Sequence, residues 1–280
     1  MVEKSVMARM ACWAGLAAAL VCLQTAIAVA DNEAAEAAYD RGDYDSAMVQ
    51  WLAEADGGDA TAQYNVATLL RLGRGAAPNP RASAVWYRRA AEQGHVAAQT
   101  NLGRLYLAGA GLKRDPARAM KWFAEAAEKH YPPAEYYLAE LFRTGEGVLW
   151  DPERALELYL SAAEQGLTQA AFRLSRMYRT GDGVPRNFRA SREWTVRAAV
   201  GGHAEAQYHL AALYFRGEGQ QADPVRALIW YHQADRGGFV GAAIMRDAIA
   251  KSLTPQQRTD IDDIAKIIDS ALARATVAGQ

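Results

Sequence analysis

Residues 95–130 read HVAAQTNLGRLYLAGAGLKRDPARAMKWFAEAAEKH, and variants of this pattern recur through most of the chain. A reference glycine marks each copy at intervals of 36 residues, and His130 takes the one slot without a glycine. These glycines are Gly58, Gly94, Gly166, Gly202 and Gly238. A fixed period of this kind is typical of repeat proteins, in which each unit covers the apolar face of its neighbour. The sequence therefore predicts five repeats, at 59–94, 95–130, 131–166, 167–202 and 203–238.

Each repeat contains two predicted helices, here called helix A and helix B. In helix A, apolar residues follow the reference glycine by 4, 8 and 12 positions, as in Ala98, Leu102 and Tyr106, which is one face of a helix. Helix A then ends at a Gly-x-Gly loop. Helix B begins at an Asn-Pro or Asp-Pro pair, in which the Asn or Asp is the N-cap and the proline lies in the first turn. The fourth repeat departs from this pattern, with Phe188 in place of the proline.

Helix B carries a tryptophan in four repeats, followed four residues later by alanine. The tryptophans are Trp86, Trp122, Trp194 and Trp230. We expect the alanines to let neighbouring helices approach closely, and the tryptophans and tyrosines to fill the spaces between repeats. Irregular ends cap such arrays, so 31–58 is predicted to form an N-terminal capping helix pair. Residues 239–280 are predicted to form C-terminal capping helices and a tail, with a last helix over 253–273.

Composition excludes two broad classes of protein. The chain has 280 residues, of which 51% are hydrophobic and 22% charged, so it is not intrinsically disordered. Its formal net charge of −1 argues against a dedicated nucleic-acid-binding protein, which would carry a clear basic excess.

The first 30 residues have the pattern of a secretory signal peptide. Lys4 and Arg9 precede a short apolar stretch at 11–23, and small residues lead up to Ala30. We therefore expect cleavage after Ala30 and a periplasmic or secreted protein with no stable membrane span. An uncleaved anchor over 10–30 is the alternative interpretation.

Signal cleavage would also remove both cysteines of the chain. Cys12 and Cys22 lie within the signal segment, so the exported chain is expected to contain neither disulfides nor thiols. Its stability must then come from packing.

The repeated residues resemble the Sel1-like repeat, a relative of the tetratricopeptide repeat. The resemblance rests on alanine, leucine and tyrosine at fixed places in helix A, then Gly-x-Gly, then Asp-Pro-x-x-Ala-x-x-Trp-Tyr-x-x-Ala-Ala. It implies an all-α, right-handed solenoid whose A helices line a concave surface. It also implies a scaffold or adaptor role, as in exported bacterial members that act in envelope regulation or assembly. A cysteine-rich branch of the family is associated with penicillin-like compounds, but this chain lacks those cysteines.

No catalytic or metal-binding pattern stands out in the sequence. The acidic residues Glu146, Asp182 and Glu218 lie in loops of three different repeats, which favours a solvated edge over a paired catalytic site. No two histidines have the i, i+4 spacing of a helical zinc site. We therefore expect a non-enzymatic protein without metal or cofactor.

A partner-binding groove is predicted from helix A positions that vary between repeats. Seven and ten residues after the reference glycine, the residue type changes from copy to copy while the framework stays constant. The groove residues predicted from these positions are Arg104, Tyr137, Glu140, Arg173, Arg176 and His209. Because arginines dominate the middle of this set, we expect a protein or peptide partner of acidic character. A scaffold that binds cell-wall or exopolysaccharide glycans is the alternative, and an envelope hydrolase of the β-lactamase-like type is a third possibility.

Overall fold

The computed structural model describes residues 33–218 and 221–252. Within these ranges the chain forms thirteen α-helices and no strand. The expected signal segment at 1–30, its cleavage site after Ala30 and the expected last helix over 253–273 lie outside the described residues.

Helices alternate along the chain as the repeat pattern predicts. Helix α1 covers 33–40 and α2 covers Tyr44–Asp56. The A helices of the five repeats are α3 (Ala60–Leu72), α5 (Val96–Ala108), α7 (Pro132–Thr144), α9 (Thr168–Thr180) and α11 (Ala204–Arg216). The B helices are α4 (Pro80–Glu92), α6 (Pro116–Ala127), α8 (Pro152–Glu164), α10 (Phe188–Val200) and α12 (Pro224–Arg236), and α13 (Ala242–Ser252) follows them.

The chain divides into two compact units, Met1–Ala134 and Glu135–Gln280. In the first unit, each helix from α2 to α6 packs against the next one in sequence. In the second unit, the same holds from α8 to α13. Packing between consecutive helices is how an α-solenoid buries its apolar surface, so the predicted fold class is confirmed.

Polar side chains and glycines set the ends of the helices. Every B helix follows an Asn or Asp whose side-chain oxygen accepts a backbone N–H three residues further on. In α6, for example, Oδ1 of Asp115 accepts from the amide of Arg118 over 3.0 Å, and Pro116 needs no hydrogen bond at the first position. The A helices α3, α5, α9 and α11 end on glycines in the left-handed conformation. Glycine adopts this conformation without the steric penalty that a Cβ atom would bring.

At Gly111 and Gly183, the second glycine of the Gly-x-Gly loop contacts the repeat before it. A Cβ atom placed on Gly111 would lie 2.4 Å from the carbonyl oxygen of Pro80, the first residue of the preceding B helix. In the second unit, a Cβ atom on Gly183 would lie 2.2 Å from Cβ of Pro152. Both glycines also have positive φ, at 73° and 72°. The loop therefore requires glycine for two reasons, the backbone conformation and the contact with the preceding repeat.

The core of each unit combines small residues with aromatic rings. The alanine four positions after the reference slot is fully buried in every repeat, at Ala62, Ala98, Ala134, Ala170 and Ala206. The tryptophans of helix B, which we expect to fill the spaces between repeats, are half-buried, and guanidinium groups cover two of them. Arg89 lies 4.5 Å from the ring centroid of Trp86, and Arg197 lies 4.6 Å from that of Trp194. The fully buried rings belong to the next residue along: Tyr87, Phe123, Tyr159 and Tyr231.

Candidate functional site

Two of the predicted groove residues make local contacts. Arg104 lies exposed on α5 in the first unit, and its Nη1 donates to Oδ1 of Asn101 over 3.2 Å. Tyr137 lies half-buried on α7 in the second unit. Its ring meets that of Tyr136 edge-on, with 5.4 Å between the centroids.

Glu140 and Arg173, two further predicted groove residues, are joined in an ion pair. Nε of Arg173 on α9 lies 2.6 Å from Oε1 of Glu140 on α7. Arg143, one turn along α7, donates from Nη2 to Oε2 of the same carboxylate over 2.9 Å and lies 3.3 Å from Asp182 through Nη1. These charges largely neutralise one another, so this cluster links α7 to α9 and leaves little charge for a ligand.

Burial and charge act in opposite directions on the pKa of Glu140. Burial of the carboxyl group raises the pKa, but Arg143, the hydroxyl of Tyr159 and Arg173 together bring it below its ordinary value. Burial, followed by the nearby Glu140 carboxylate, raises the pKa of Tyr159 far above its ordinary value. Glu140 is therefore ionised and Tyr159 protonated at neutral pH.

Arg176 and His209, the remaining predicted residues, line one cavity in the second unit. The cavity lies between α9, α10 and α11 and has a volume of about 540 Å³, which is within the range of small-molecule and peptide side-chain pockets. Its lining comprises Phe172, Ser175, Arg176, Arg179, Phe188, Arg189, Ser191, Arg192, Thr195, His209, Leu213, Arg216 and Glu218. Five of these residues are arginines and one is acidic, so the cavity favours negatively charged groups.

Acidic partners neutralise some of these arginines. Nε of Arg216 forms an ion pair with Glu218, and Nε of Arg189 lies 3.1 Å from Oε1 of Glu193. For Arg176 and Arg179, which are both exposed, the described part of the chain offers no ion-pair partner. Their guanidinium groups can therefore each bind a carboxylate through two parallel hydrogen bonds.

His209 contributes a neutral ring to the wall of the cavity. Its imidazole stacks on Phe172, with 5.6 Å between the ring centroids, and its Nε2 lies 3.8 Å from Glu205. Burial lowers the pKa of His209, and Arg179, Arg176 and Arg216 lower it further, against the opposing effect of Glu205. At neutral pH the histidine therefore offers a nitrogen acceptor and an aromatic face.

Four cavity arginines were missed from the sequence, because only two positions of each A helix were compared there. They are Arg179, Arg189, Arg192 and Arg216. A comparison of the B helices would have found Arg192, since the other four repeats carry an apolar residue at its position.

Two of the three loop acids are engaged in ion pairs. Asp182 contacts Arg143, and Glu218 contacts Arg216. Over 33–218 and 221–252, no three His, Cys, Asp or Glu side chains are grouped so that they could hold a metal ion. Among the same residues, no helix is both long and apolar enough to cross a membrane.

Comparison with known proteins identifies the repeat. The Sel1 repeat family matches this chain at 60–95, 96–131, 132–167, 168–203 and 204–238. A Sel1 repeat protein from Oxalobacter formigenes, with a known crystal structure, is 29% identical and has a TM-score of 0.73; the match covers 84% of this chain and 98% of that one. No curated protein matches the chain.

A second solved structure supports the fold alone. The protective antigen c5321 of uropathogenic Escherichia coli, which has an SLR fold, is 24% identical with a TM-score of 0.52. The match covers 89% of this chain and 63% of the antigen, so the chain corresponds to less than two thirds of that protein. With five matched repeats that span well over half of its length, the chain belongs to the Sel1 repeat family.

Proposed function

We propose that this protein is a non-catalytic scaffold that binds an acidic segment of a partner protein in the cavity between α9, α10 and α11. The main support is the presence of Arg176 and Arg179, two exposed guanidinium groups without an ion-pair partner among the described residues. Solvated arginines beside an apolar wall are frequent anchors of protein interfaces. The Sel1 repeat is a scaffold fold, which agrees with a binding role.

Charge reversal in the cavity tests this proposal. The variant Arg176→Glu/Arg179→Glu should capture at least about fivefold less of the partner from envelope extract than the wild type does. The reason is that repulsion replaces two charge-assisted hydrogen bonds. The matched control is Arg81→Glu/Lys121→Glu, which makes the same change in net charge at two exposed positions of the first unit.

Quantitative mass spectrometry of the captured proteins compares the two variants with the wild type. The control should retain every specific partner. Equal capture by the cavity variant and the wild type would contradict the proposal.

We further propose that the protein acts in the periplasm or outside the cell. The support is the sequence of residues 1–30, where a basic start precedes a short apolar stretch and small residues. Mass spectrometry of the protein purified from its host should find Asp31 at the N-terminus. An intact N-terminus on protein recovered from the cytosol would contradict export.

A further inference from the structure

The cavity exists because helix α10 departs from the other four B helices. Thr195 occupies the position at which each of those helices buries an aromatic ring. The four rings are Tyr87, Phe123, Tyr159 and Tyr231, and none is more than 1% exposed. Threonine is much smaller than a phenol or phenyl group, so the volume of one ring stays unfilled in the fourth repeat.

The residue opposite Thr195 at the floor of the cavity also differs between the fourth repeat and the others. In the second repeat, the ring of Phe123 lies directly on Gly103, where an added Cβ would come within 2.5 Å of it. The fourth repeat has Ser175 at the position of Gly103, where the remaining repeats have alanine. Oγ of Ser175 and Oγ1 of Thr195 form a buried hydrogen bond of 2.6 Å. A pair of hydroxyl groups has thus replaced the contact between a ring and a small residue.

Two more departures on α10 line the same cavity. Arg192 stands where the other B helices have the apolar residues Ala84, Met120, Leu156 and Leu228. Phe188 replaces the first-turn proline and is 70% exposed. Positions 188, 192 and 195 follow the i, i+4, i+7 spacing of a single helix face. One face of α10 therefore carries an aromatic group, a cation and a small residue where the other B helices have a proline, an apolar residue and a buried ring.

The first repeat indicates which chemical group fits the volume that Thr195 leaves unfilled. There, the hydroxyl of Tyr87 lies 2.9 Å from Oγ1 of Thr68 and accepts a hydrogen bond from Nε of Arg71 over 3.3 Å. The residues equivalent to Thr68 and Arg71 in the fourth repeat are Arg176 and Arg179. Two arginines thus occupy the positions that contact the hydroxyl of Tyr87 in the first repeat, and both line the cavity.

We infer that this cavity binds a tyrosine side chain of an acidic peptide segment, which takes the place of the ring that Thr195 leaves out. The tyrosine hydroxyl accepts hydrogen bonds from Arg176 or Arg179, and carboxylates on either side of the tyrosine bind the guanidinium groups at the rim. Phe188 packs against the peptide at the mouth of the cavity. This inference rests on the proposed function and specifies the residue that the partner inserts.

Two labelled peptides separate ring insertion from attraction by charge. The probes are fluorescein-Glu-Glu-Tyr-Glu-Glu-amide and the same peptide with alanine in place of tyrosine, and fluorescence anisotropy measures their affinities for the full chain. We expect the wild type to bind the tyrosine peptide at least about tenfold more tightly, which corresponds to about 1.4 kcal/mol.

Thr195→Tyr restores the missing ring and leaves every arginine in place. This variant should bind both peptides with the weak affinity that the wild type has for the alanine peptide. The matched control is Thr195→Val, which has nearly the same shape as threonine and should keep the preference for the tyrosine peptide. If Thr195→Tyr does not show wild-type helix content by circular dichroism, Thr195→Leu takes its place as a smaller filling residue.

The outcomes distinguish this inference from the proposed function. Equal affinity of the wild type for both peptides, or an undiminished tyrosine preference in the filled variant, would overturn ring insertion. Arg176→Glu/Arg179→Glu should weaken the binding of both peptides. If that variant binds them as the wild type does, the proposed acidic partner is wrong as well.

Discussion

Two single residues, His95 and His203, cap A helices through hydrogen bonds that depend on pH. Nδ1 of His95 accepts the backbone N–H of Ala98 over 3.2 Å, and Nδ1 of His203 accepts that of Ala206 over the same distance. A nitrogen can accept a hydrogen bond only while it is unprotonated. Burial is the main cause that lowers the pKa of both histidines. The folded state therefore favours their neutral form.

We predict that the free energy of unfolding decreases as the pH falls below about 6.5. The two histidines bind protons less readily in the folded than in the unfolded chain, so their contribution is complete above the unfolded pKa and is lost between that value and the lower folded pKa. Urea unfolding at several pH values measures the effect, and each cap is expected to contribute about 1 kcal/mol.

The variant His95→Asp/His203→Asp is the control for this prediction. Asp59 caps α3 in the same manner, with Oδ1 accepting from the amide of Ala62 over 2.7 Å, and a carboxylate stays ionised at pH 5.5. The variant should therefore lose less stability than the wild type between about pH 7.5 and 5.5, and the loss that remains comes from His209, whose pKa is also lowered. Equal losses in the two proteins would show that the caps are not the cause.

At the scale of helices and loops, the contact between Gly111 and Pro80 can be separated from the effect of backbone conformation. Gly111→Ala should lower the free energy of unfolding by about 3 kcal/mol, from the left-handed backbone and from the collision with the preceding helix. Gly58→Ala is the matched control, because Gly58 also has positive φ but has no atom within 4 Å of an added Cβ.

Chemical denaturation of both variants measures the difference. The control should lose only about 1–2 kcal/mol. If both alanines cost the same, the loop glycine is needed for its conformation alone and the contact between repeats contributes nothing.

The ion pair between Glu140 and Arg173 gives a second prediction at this scale, since it ties α7 to α9. Glu140→Gln should destabilise the protein by about 1–2 kcal/mol, because it removes the counter-charge of the half-buried Arg173 and leaves Arg143 with Asp182 alone. Glu193→Gln removes the partner of Arg189 in an exposed pair and should cost less than about 0.5 kcal/mol. Thermal unfolding compares the two variants, and equal shifts would contradict a structural role for the Glu140 cluster.

The elements were predictable from the sequence because the 36-residue period repeats the same local signals. Glycines, N-caps and prolines act within a few residues of where they stand, so their meaning does not depend on the rest of the fold. The core ring was harder to assign, since Trp86 and Tyr87 are adjacent and both aromatic. Only the packing decides that the tyrosine faces inward.

The candidate site could be predicted in part. Arg176 and His209 were found, because they vary between repeats at positions compared in the A helices. The pairing of Glu140 with Arg173 was not found, since spacing along the chain does not show which charges meet across helices. The cavity itself was also missed, because it results from a residue smaller than the ring at the same position of the other repeats. A threonine in a helix does not by itself indicate a binding site.

At the scale of the whole molecule, net charge gives no indication of the proposed binding site. The chain as a whole carries a formal charge of −1, whereas the cavity lining contains five arginines and one acid. Attraction of an acidic peptide must therefore act over short distances, near the cavity, rather than through the field of the entire protein.

Salt should weaken this attraction in a measurable way. We predict that the affinity for the labelled Glu-Glu-Tyr-Glu-Glu peptide falls about tenfold between about 50 and 300 mM NaCl, because ions screen the exposed guanidinium groups. The Arg176→Glu/Arg179→Glu variant should show little salt dependence, and Arg81→Glu/Lys121→Glu should behave as the wild type. A wild-type affinity that does not change with salt would mean that charge plays no part in binding.

The contact of three Gly-x-Gly loops with the start of an earlier helix also bears on how such a chain can lengthen by duplication. Gly75, Gly111 and Gly183 each fit against the start of an earlier helix. A duplicated repeat would therefore already contain the glycine that contacts the repeat before it. In-frame duplication of one 36-residue segment would thus extend the array without any new interface having to evolve. By the same logic, a single repeat such as the fourth can diverge for binding while its neighbours keep the array intact.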